Sequence, residues 1–118
     1  EHFDTFILPA LEDEADYLDH SVYHYDGPGA LVHLDSVLGI RNLDSIQWVP
    51  GAGNKPQHEW TELLLKIQKA GKSVHLAASA EDCKRLHKAL DPSLVYYQTS
   101  ARSEKEADEL VEWFVRNT

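Results

Sequence analysis

Apolar residues follow two different spacings along this chain, and the two spacings alternate from beginning to end. Short runs rich in Val, Ile and Tyr predict β-strands, because these residues pack well on a pleated surface. Longer stretches with apolar residues three or four positions apart predict amphipathic helices. The predicted strands are residues 21–25, 45–49, 73–77 and 94–98, and the predicted helices are residues 3–19, 28–39, 60–70, 79–90 and 103–115.

Turn and capping residues mark the ends of these elements. Pro9 either starts the first helix or kinks it, since proline cannot donate an interior hydrogen bond. Pro28 suits the first position of a helix, and Gly39 is expected to end that helix in a left-handed conformation. Ser79 and Ser103 each precede an acidic residue three positions on, which is the pattern of an N-terminal capping box.

The elements follow one another as a helix and then four strand–helix units, with short connections and no hairpin signal. Strands that alternate with helices form parallel sheets joined by right-handed crossovers. The predicted fold class is therefore α/β, and four such units are half of a TIM (β/α)8 barrel, here preceded by an N-terminal helix. At 118 residues, the chain is expected to be a single domain over residues 1–118.

The chain carries 20 acidic and 11 basic side chains, a formal net charge of −9. Nucleic-acid-binding proteins need a basic face, so this charge excludes a phosphate-backbone partner. No apolar run approaches about 18 residues and no secretory signal is visible, so we expect no membrane segment. Cys83 is the only cysteine, which excludes an internal disulfide and favours a cytoplasmic location. Because the chain opens at Glu1 and lacks methionine, we expect a fragment of a longer protein.

The most informative stretch is residues 23–29, Tyr-His-Tyr-Asp-Gly-Pro-Gly, which joins the first strand to the next helix. His24 and Asp26 lie two positions apart, so their side chains share one face at the edge where parallel α/β proteins bind ligands. They could act as an acid and a base, or as zinc ligands, although a catalytic zinc needs a third protein ligand. Alternatively, Asp26 caps the next helix and His24 fills the barrel interior.

The loop after the second strand is a further candidate at this edge. It contains Gly51 and Gly53 and is followed by a helix. Exposed backbone N–H groups there, together with Asn54, could bind a carboxylate or phosphate group of a substrate. The alternative is a plain loop between a strand and a helix.

Candidate substrate-binding side chains also lie within the strands. Alternation places Gln47 and Trp48 on opposite faces, and we expect Gln47 to face the barrel interior while Trp48 packs against the helices. His75 is either part of the pocket floor or a core histidine, and Gln98 is a candidate of the same kind. Four other histidines are expected to be solvated on helices and loops: His20, His33, His58 and His87.

Residues 24–31, His-Tyr-Asp-Gly-Pro-Gly-Ala-Leu, and 46–54, Ile-Gln-Trp-Val-Pro-Gly-Ala-Gly-Asn, resemble motifs of the uroporphyrinogen decarboxylase superfamily. More narrowly, the chain resembles the uroporphyrinogen decarboxylase-like proteins related to corrinoid and coenzyme M methyltransferases. The resemblance implies the C-terminal half of that family's TIM barrel, with a substrate funnel at the carboxyl ends of the strands. It implies decarboxylation of a porphyrinogen or methyl transfer from a corrinoid, with a tetrapyrrole or corrinoid-linked substrate.

The site residues of this family map onto the chain in part. In the methyltransferases the matching strand ends in a zinc-binding His-x-Cys-Gly; His24 corresponds to the histidine, and Asp26 stands in place of the cysteine. A later strand end supplies a second zinc-binding cysteine, or a histidine in the decarboxylases, and residues 96–100 contain neither. The resemblance thus implies His24 and Asp26 as catalytic residues. Zinc is a candidate cofactor with an incomplete ligand set, so the cofactor stays unknown.

Half a barrel has one sheet face without helices. We expect that face to be apolar and exposed, and parallel sheets occur almost only with both faces covered. The chain is therefore predicted to self-associate or to pair with a missing N-terminal half, two copies closing an eight-stranded barrel. Alone, the fragment is expected to be inactive. The alternative function is a non-catalytic half-barrel that serves as a binding or assembly module.

Overall fold

Four short strands form one sheet, and every neighbouring pair is parallel. In the computed structural model, which describes residues 1–118, the strands lie side by side in chain order. This confirms the α/β fold class and the predicted strand direction, and each strand bound differs from its prediction by one residue at most. The strands are β1 (Val22–Asp26), β2 (Ser45–Val49), β3 (Ser73–Ala77) and β4 (Val95–Gln98).

Helical segments precede β1 and follow every strand. The α-helices are α1 (Leu8–Tyr17), α2 (Leu34–Leu38), α3 (Thr61–Lys69), α4 (Ala80–His87) and α5 (Glu104–Asn117). The shorter segments are a π-helical turn at Phe3–Ile7 and 3-10 segments at Pro28–His33, Gln57–Glu59 and Pro92–Leu94. None of the helices is both long enough and apolar enough to pass through a lipid bilayer.

The capping residues behave largely as predicted. Ser79 and Ser103 each accept a hydrogen bond from the backbone N–H three residues on, which satisfies a free donor at the start of α4 and of α5. Pro9 is the second residue of α1, but the chain is already helical before it, because the π-helical turn runs directly into α1, so the prediction that Pro9 starts the helix is wrong. Gly39 ends α2 with a φ of −73°, and the expected left-handed conformation is wrong. A 3-10 hydrogen bond donated by the Ile40 N–H closes the last turn instead.

The segment after β1 differs from the predicted helix in type. Residues 28–33 form 3-10 turns, which are common at the N-terminal end of a helix, and only residues 34–38 are α-helical. Tyr25 is buried in β1, and its hydroxyl donates to the Ala30 carbonyl, which ties the 3-10 segment to the sheet. Removal from water raises the pKa of the Tyr25 hydroxyl to about 12, so it stays a donor.

The helices pack on one face of the sheet, and the core lies between them. Five sheet residues on this face are at most 2% exposed: Tyr25, Ile46, Trp48, Val74 and Leu76. They contact buried helix residues that include Val37, Leu64, Ile67 and Leu86. Trp48 lies edge-on to Trp60 with ring centroids 5.0 Å apart, as predicted for a packing residue. Fully burying one such side chain stabilises the fold by about 1.5–3 kcal/mol.

The opposite face of the sheet, called the open face below, has no helix packed on it. Its residues are Val22, His24 and Asp26 on β1, Ser45, Gln47 and Val49 on β2, Ser73, His75 and Ala77 on β3, and Tyr96 and Gln98 on β4. Seven of these eleven are Asp, Gln, His or Ser, so the expectation of an apolar face is wrong. Strand side chains alternate between the two faces of a sheet. Because the apolar residues of each strand point to the helices, the polar residues between them point to the open face.

Gly27, between β1 and the following 3-10 segment, has φ 80° and ψ 147°, a conformation that residues with a Cβ rarely adopt. We expect Gly27→Ala to lower the free energy of unfolding by about 1–3 kcal/mol through backbone strain. Crowding does not contribute, because no atom lies within 4 Å of the added Cβ.

Gly29 is the matched control, since it also has open space around it and has no positive φ. Gly29→Ala should change the free energy of unfolding by less than about 0.5 kcal/mol. Urea unfolding followed by circular dichroism measures both variants, and equal losses would contradict the strain at Gly27.

Candidate functional site

A row of four side chains crosses the open face from β1 to β4. The sheet register pairs His24 with Gln47, Gln47 with His75, and His75 with Tyr96. Paired residues in a parallel sheet point to the same side, so neighbours in this row are about 4.8 Å apart. The row brings together three residues predicted for the site. Tyr96 was not predicted, although its place two residues before Gln98 puts it on the same face.

His24 and Gln47 form a hydrogen bond, with His24 Nδ1 lying 2.7 Å from Gln47 Oε1. A carboxamide oxygen can only accept, so in the neutral ring Nδ1 carries the hydrogen and Nε2 keeps its lone pair. His24 is exposed, and a bound molecule can therefore reach Nε2. A histidine held in one tautomer by a neighbour can accept a proton, donate one when protonated, or bind a metal.

Asp26 is the last residue of β1 and lies one step nearer the carboxyl edge than His24. Two residues along a strand span about 7 Å, so one bound molecule can contact both groups. The 3-10 segment after β1 has Gly27 at its N-cap and no side-chain cap, so the alternative in which Asp26 caps a helix is not observed. The Asp26 carboxylate is exposed and forms no ion pair or hydrogen bond within the chain.

His75 and Tyr96 pack together at the other end of the row. Their ring centroids are 4.7 Å apart and the rings meet at 89°. His75 Nε2 is shielded from solvent and has no hydrogen-bond partner, which costs about 1–3 kcal/mol unless another group pairs with it. Val22, Ser45 and Ser73 complete a shallow concavity of about 330 Å³ around the two rings. His75 thus lies on the face predicted for a residue of the pocket floor.

The loop after β2 is closed by its own hydrogen bonds. Gly51 and Gly53 are exposed and have φ values of 78° and 81°. The Asn54 side-chain amide donates to the Pro50 carbonyl over 2.8 Å. The backbone N–H groups of both glycines form no hydrogen bond within the chain, so they are free to donate to an anionic group.

Gln57 joins β2 and β3 at the same edge, and sequence reasoning missed it. Its Nε2 donates to the Trp48 carbonyl over 2.5 Å, and its Oε1 accepts from the Ala77 N–H over 2.6 Å. The ladder between the two strands ends at Gln47 and His75, so the carboxamide fills the gap where the strands diverge. A single glutamine in a loop gives no signal of this role, which depends on two strands distant in the sequence.

Gln98 ends β4 and lies on the open face, but it is three strands away from β1. At about 4.8 Å per strand, Gln98 and Asp26 are roughly 14 Å apart. Within one chain, Gln98 is therefore not brought to the His24 side of the site. The His24 and Asp26 side chains lie on one edge strand, and Gln98 lies on the other.

A zinc ion does not fit the residues present. His24 Nε2 and the Asp26 carboxylate make two ligands, and a catalytic zinc needs three. No group of three His, Cys, Asp or Glu side chains is arranged to hold a metal ion. Cys83 is buried, and burial raises the pKa of its thiol, so it does not supply a thiolate.

Of the four histidines expected in solvent, His20 is exposed as predicted, with 91% of its side chain accessible. The expectation is wrong for the other three. His87 is buried, His33 stacks on an aromatic ring, and the His58 side chain lies between two carboxylates and is 19% exposed. Helical spacing does not indicate which flank of a helix the next element covers.

Comparison of the chain with protein-family models, with curated proteins and with solved structures gave no match. Its function is therefore inferred from the geometry of the open face and from the resemblance of its two motifs. The groups available for chemistry on β1 and β2 are an imidazole of defined tautomer, a free carboxylate and a carboxamide.

Removing the acceptor at Gln47 is expected to change the tautomer of His24. In the native chain Nδ1 carries the hydrogen, and in Gln47→Leu the neutral ring should shift toward the Nε2–H form, which free imidazole side chains favour in water. Long-range proton–nitrogen correlation spectra at alkaline pH distinguish the two tautomers.

Gln98→Leu is the matched control, because it removes a carboxamide from the same face that lies, within one chain, three strands away from His24. This variant should leave the His24 tautomer unchanged. An Nε2–H tautomer in the native chain would show that the contact with Gln47 does not hold the ring.

Proposed function

We propose that this chain is the C-terminal half of a uroporphyrinogen decarboxylase-like (β/α)8 barrel. The order of the strands supports this proposal. In a doubly wound sheet the strand order reverses at a switch point, and helices then cover both faces. Here each strand lies next to its predecessor and the helices cover one face, which is the arrangement of consecutive units in a barrel.

The polar open face supports a substrate cavity inside that barrel. The interior of a TIM barrel is usually filled by bulky aliphatic residues. Here the row of His24, Gln47, His75 and Tyr96 occupies the face that would become the interior. The observation that carries the proposal is the His24–Gln47 hydrogen bond at 2.7 Å, with the free Asp26 carboxylate beside it at the carboxyl edge.

The proposed reaction is decarboxylation of a porphyrinogen, or methyl transfer from a corrinoid. In a decarboxylation, the bond to the carboxylate breaks, carbon dioxide leaves, and the remaining carbon takes up a proton. His24 Nε2 is placed to hold that proton, Gln47 keeps the ring in position, and Asp26 is the second acid–base group. The free N–H groups of Gly51 and Gly53 would bind an acidic side chain of the substrate.

A non-catalytic binding or assembly module is the second candidate function, and the charge of the open face favours it. None of the eleven residues on that face is Lys or Arg. A porphyrinogen carries several carboxylates, which would find no countercharge on this face. In the first proposal the cations that bind these carboxylates lie outside this face, and the chain alone is expected to be inactive.

Titration of the chain with uroporphyrin, and separately with cobalamin, tests the first proposal. We expect saturable changes in the absorption spectrum of one probe. His24→Ala and Asp26→Asn should each weaken binding about tenfold, the effect of losing one charge-assisted hydrogen bond.

His20→Ala is the matched control, because His20 is exposed and precedes β1 at the amino end of the sheet. It should bind the probe as the native chain does. Absence of binding to both probes, or an equal loss in His20→Ala, would reject a tetrapyrrole site and favour the assembly module.

A further inference from the structure

Large apolar side chains that remain exposed are concentrated on the two flanks of the sheet. The first flank is the segment from the π-helical turn through α1 to the end of β1, and the last flank is β4 with α5. Of ten exposed large apolar residues, five lie on the first flank and three on the last. Those on the first flank are Phe6, Ile7, Tyr17, Leu18 and Val22, and those on the last flank are Tyr96, Val111 and Val115.

Each flank also ends in an unpaired strand edge. The sheet order places β1 and β4 at its two ends, so each has one neighbour and leaves one row of backbone N–H and C=O groups without a strand partner. On the last flank, Val111 is 61% and Val115 is 76% exposed, and they lie one turn apart on α5. Strand edge and apolar helix surface therefore lie together on each side of the molecule.

We propose that two copies of this chain close an eight-stranded parallel barrel through these flanks, an inference that rests on the half-barrel of the proposed function. All four strands point the same way. A twofold axis parallel to the strands therefore places β4 of each copy next to β1 of the other copy, which gives two equivalent seams. Both strand edges then pair in the parallel sense. The same operation brings α5 of one copy next to α1 of the other and covers the open face.

Closure would also complete the candidate site. Within one chain Asp26 and Gln98 are about 14 Å apart, at opposite ends of the sheet. Across the seam they lie on neighbouring strands, with His24 and Asp26 from one copy and Tyr96 and Gln98 from the partner subunit. Each barrel would then hold two equivalent composite sites, one at each seam.

Charge sets a condition on this association. Each copy carries a formal charge of −9, so two copies repel at low ionic strength. Salt screens that repulsion, with a Debye length of about 8 Å at physiological ionic strength. Association through apolar flanks should therefore tighten as sodium chloride is added, whereas association through ion pairs would weaken.

Sedimentation velocity over a series of protein and salt concentrations tests the dimer without any ligand. The native chain is expected at twice its mass of 13.4 kDa. The double variant Val111→Asp with Val115→Asp should be a monomer with an unchanged circular dichroism spectrum. Val32→Asp is the matched control, because Val32 is 80% exposed and lies on neither flank, and it should remain a dimer.

A native chain that is monomeric at every concentration and salt level overturns the proposal. The two flanks would then pair with a half-barrel of different sequence. Open-ended oligomers, or a Val32→Asp variant that dissociates as the double variant does, also overturn it. These outcomes do not depend on the probe titrations. A dimer that binds neither uroporphyrin nor cobalamin keeps the barrel and rejects the proposed reaction.

Mixing two inactive variants tests whether the site is shared. His24→Ala and Gln98→Ala copies should each bind the probe weakly when alone. After mixing, half of the dimers contain one copy of each variant, and each of these dimers has one intact seam. The mixture should therefore recover about one quarter of the native sites. No recovery in a mixture that sedimentation shows to be dimeric overturns the composite site.

Discussion

Burial on a single face of the sheet is the constraint on which the rest of this structure depends. Strand side chains alternate between faces, and the helices cover only one of them. Ile46, Trp48, Val74 and Leu76 are fully buried there and hold α3 and α4 against the strands. Because these side chains point into the core, the strand residues between them point to the open face. The composition of that face is thus a direct consequence of how the helices are held.

The open face combines satisfied and unsatisfied polar groups. His24 and Gln47 pair across two strands, while the Asp26 carboxylate has no partner and His75 Nε2 is shielded without one. An isolated polar surface costs little where water reaches it, but a covered one needs a partner for each donor and acceptor. A ligand or a second sheet layer that covers this face has to supply those partners. The free groups therefore describe the chemistry of whatever binds here.

The candidate site and the unpaired edges of the sheet are physically connected. His24 and Asp26 lie on one edge strand, and Tyr96 and Gln98 lie on the other. Any layer that pairs with these edges also determines what stands beside the site residues. The proposed assembly and the proposed site chemistry thus depend on the same two edge strands, although sedimentation and ligand titration test them separately.

Local spacing in the sequence determined the strands, their parallel direction and the caps at Ser79 and Ser103, because these depend on neighbours within a few residues. It also placed His24 and Asp26 on one face. Only the tertiary structure decided that Gln47 holds the His24 ring, that Gln57 bridges two strands, and that the uncovered face is polar. Those features depend on strand register and on which face the helices cover, and both are set by packing between segments far apart in the chain.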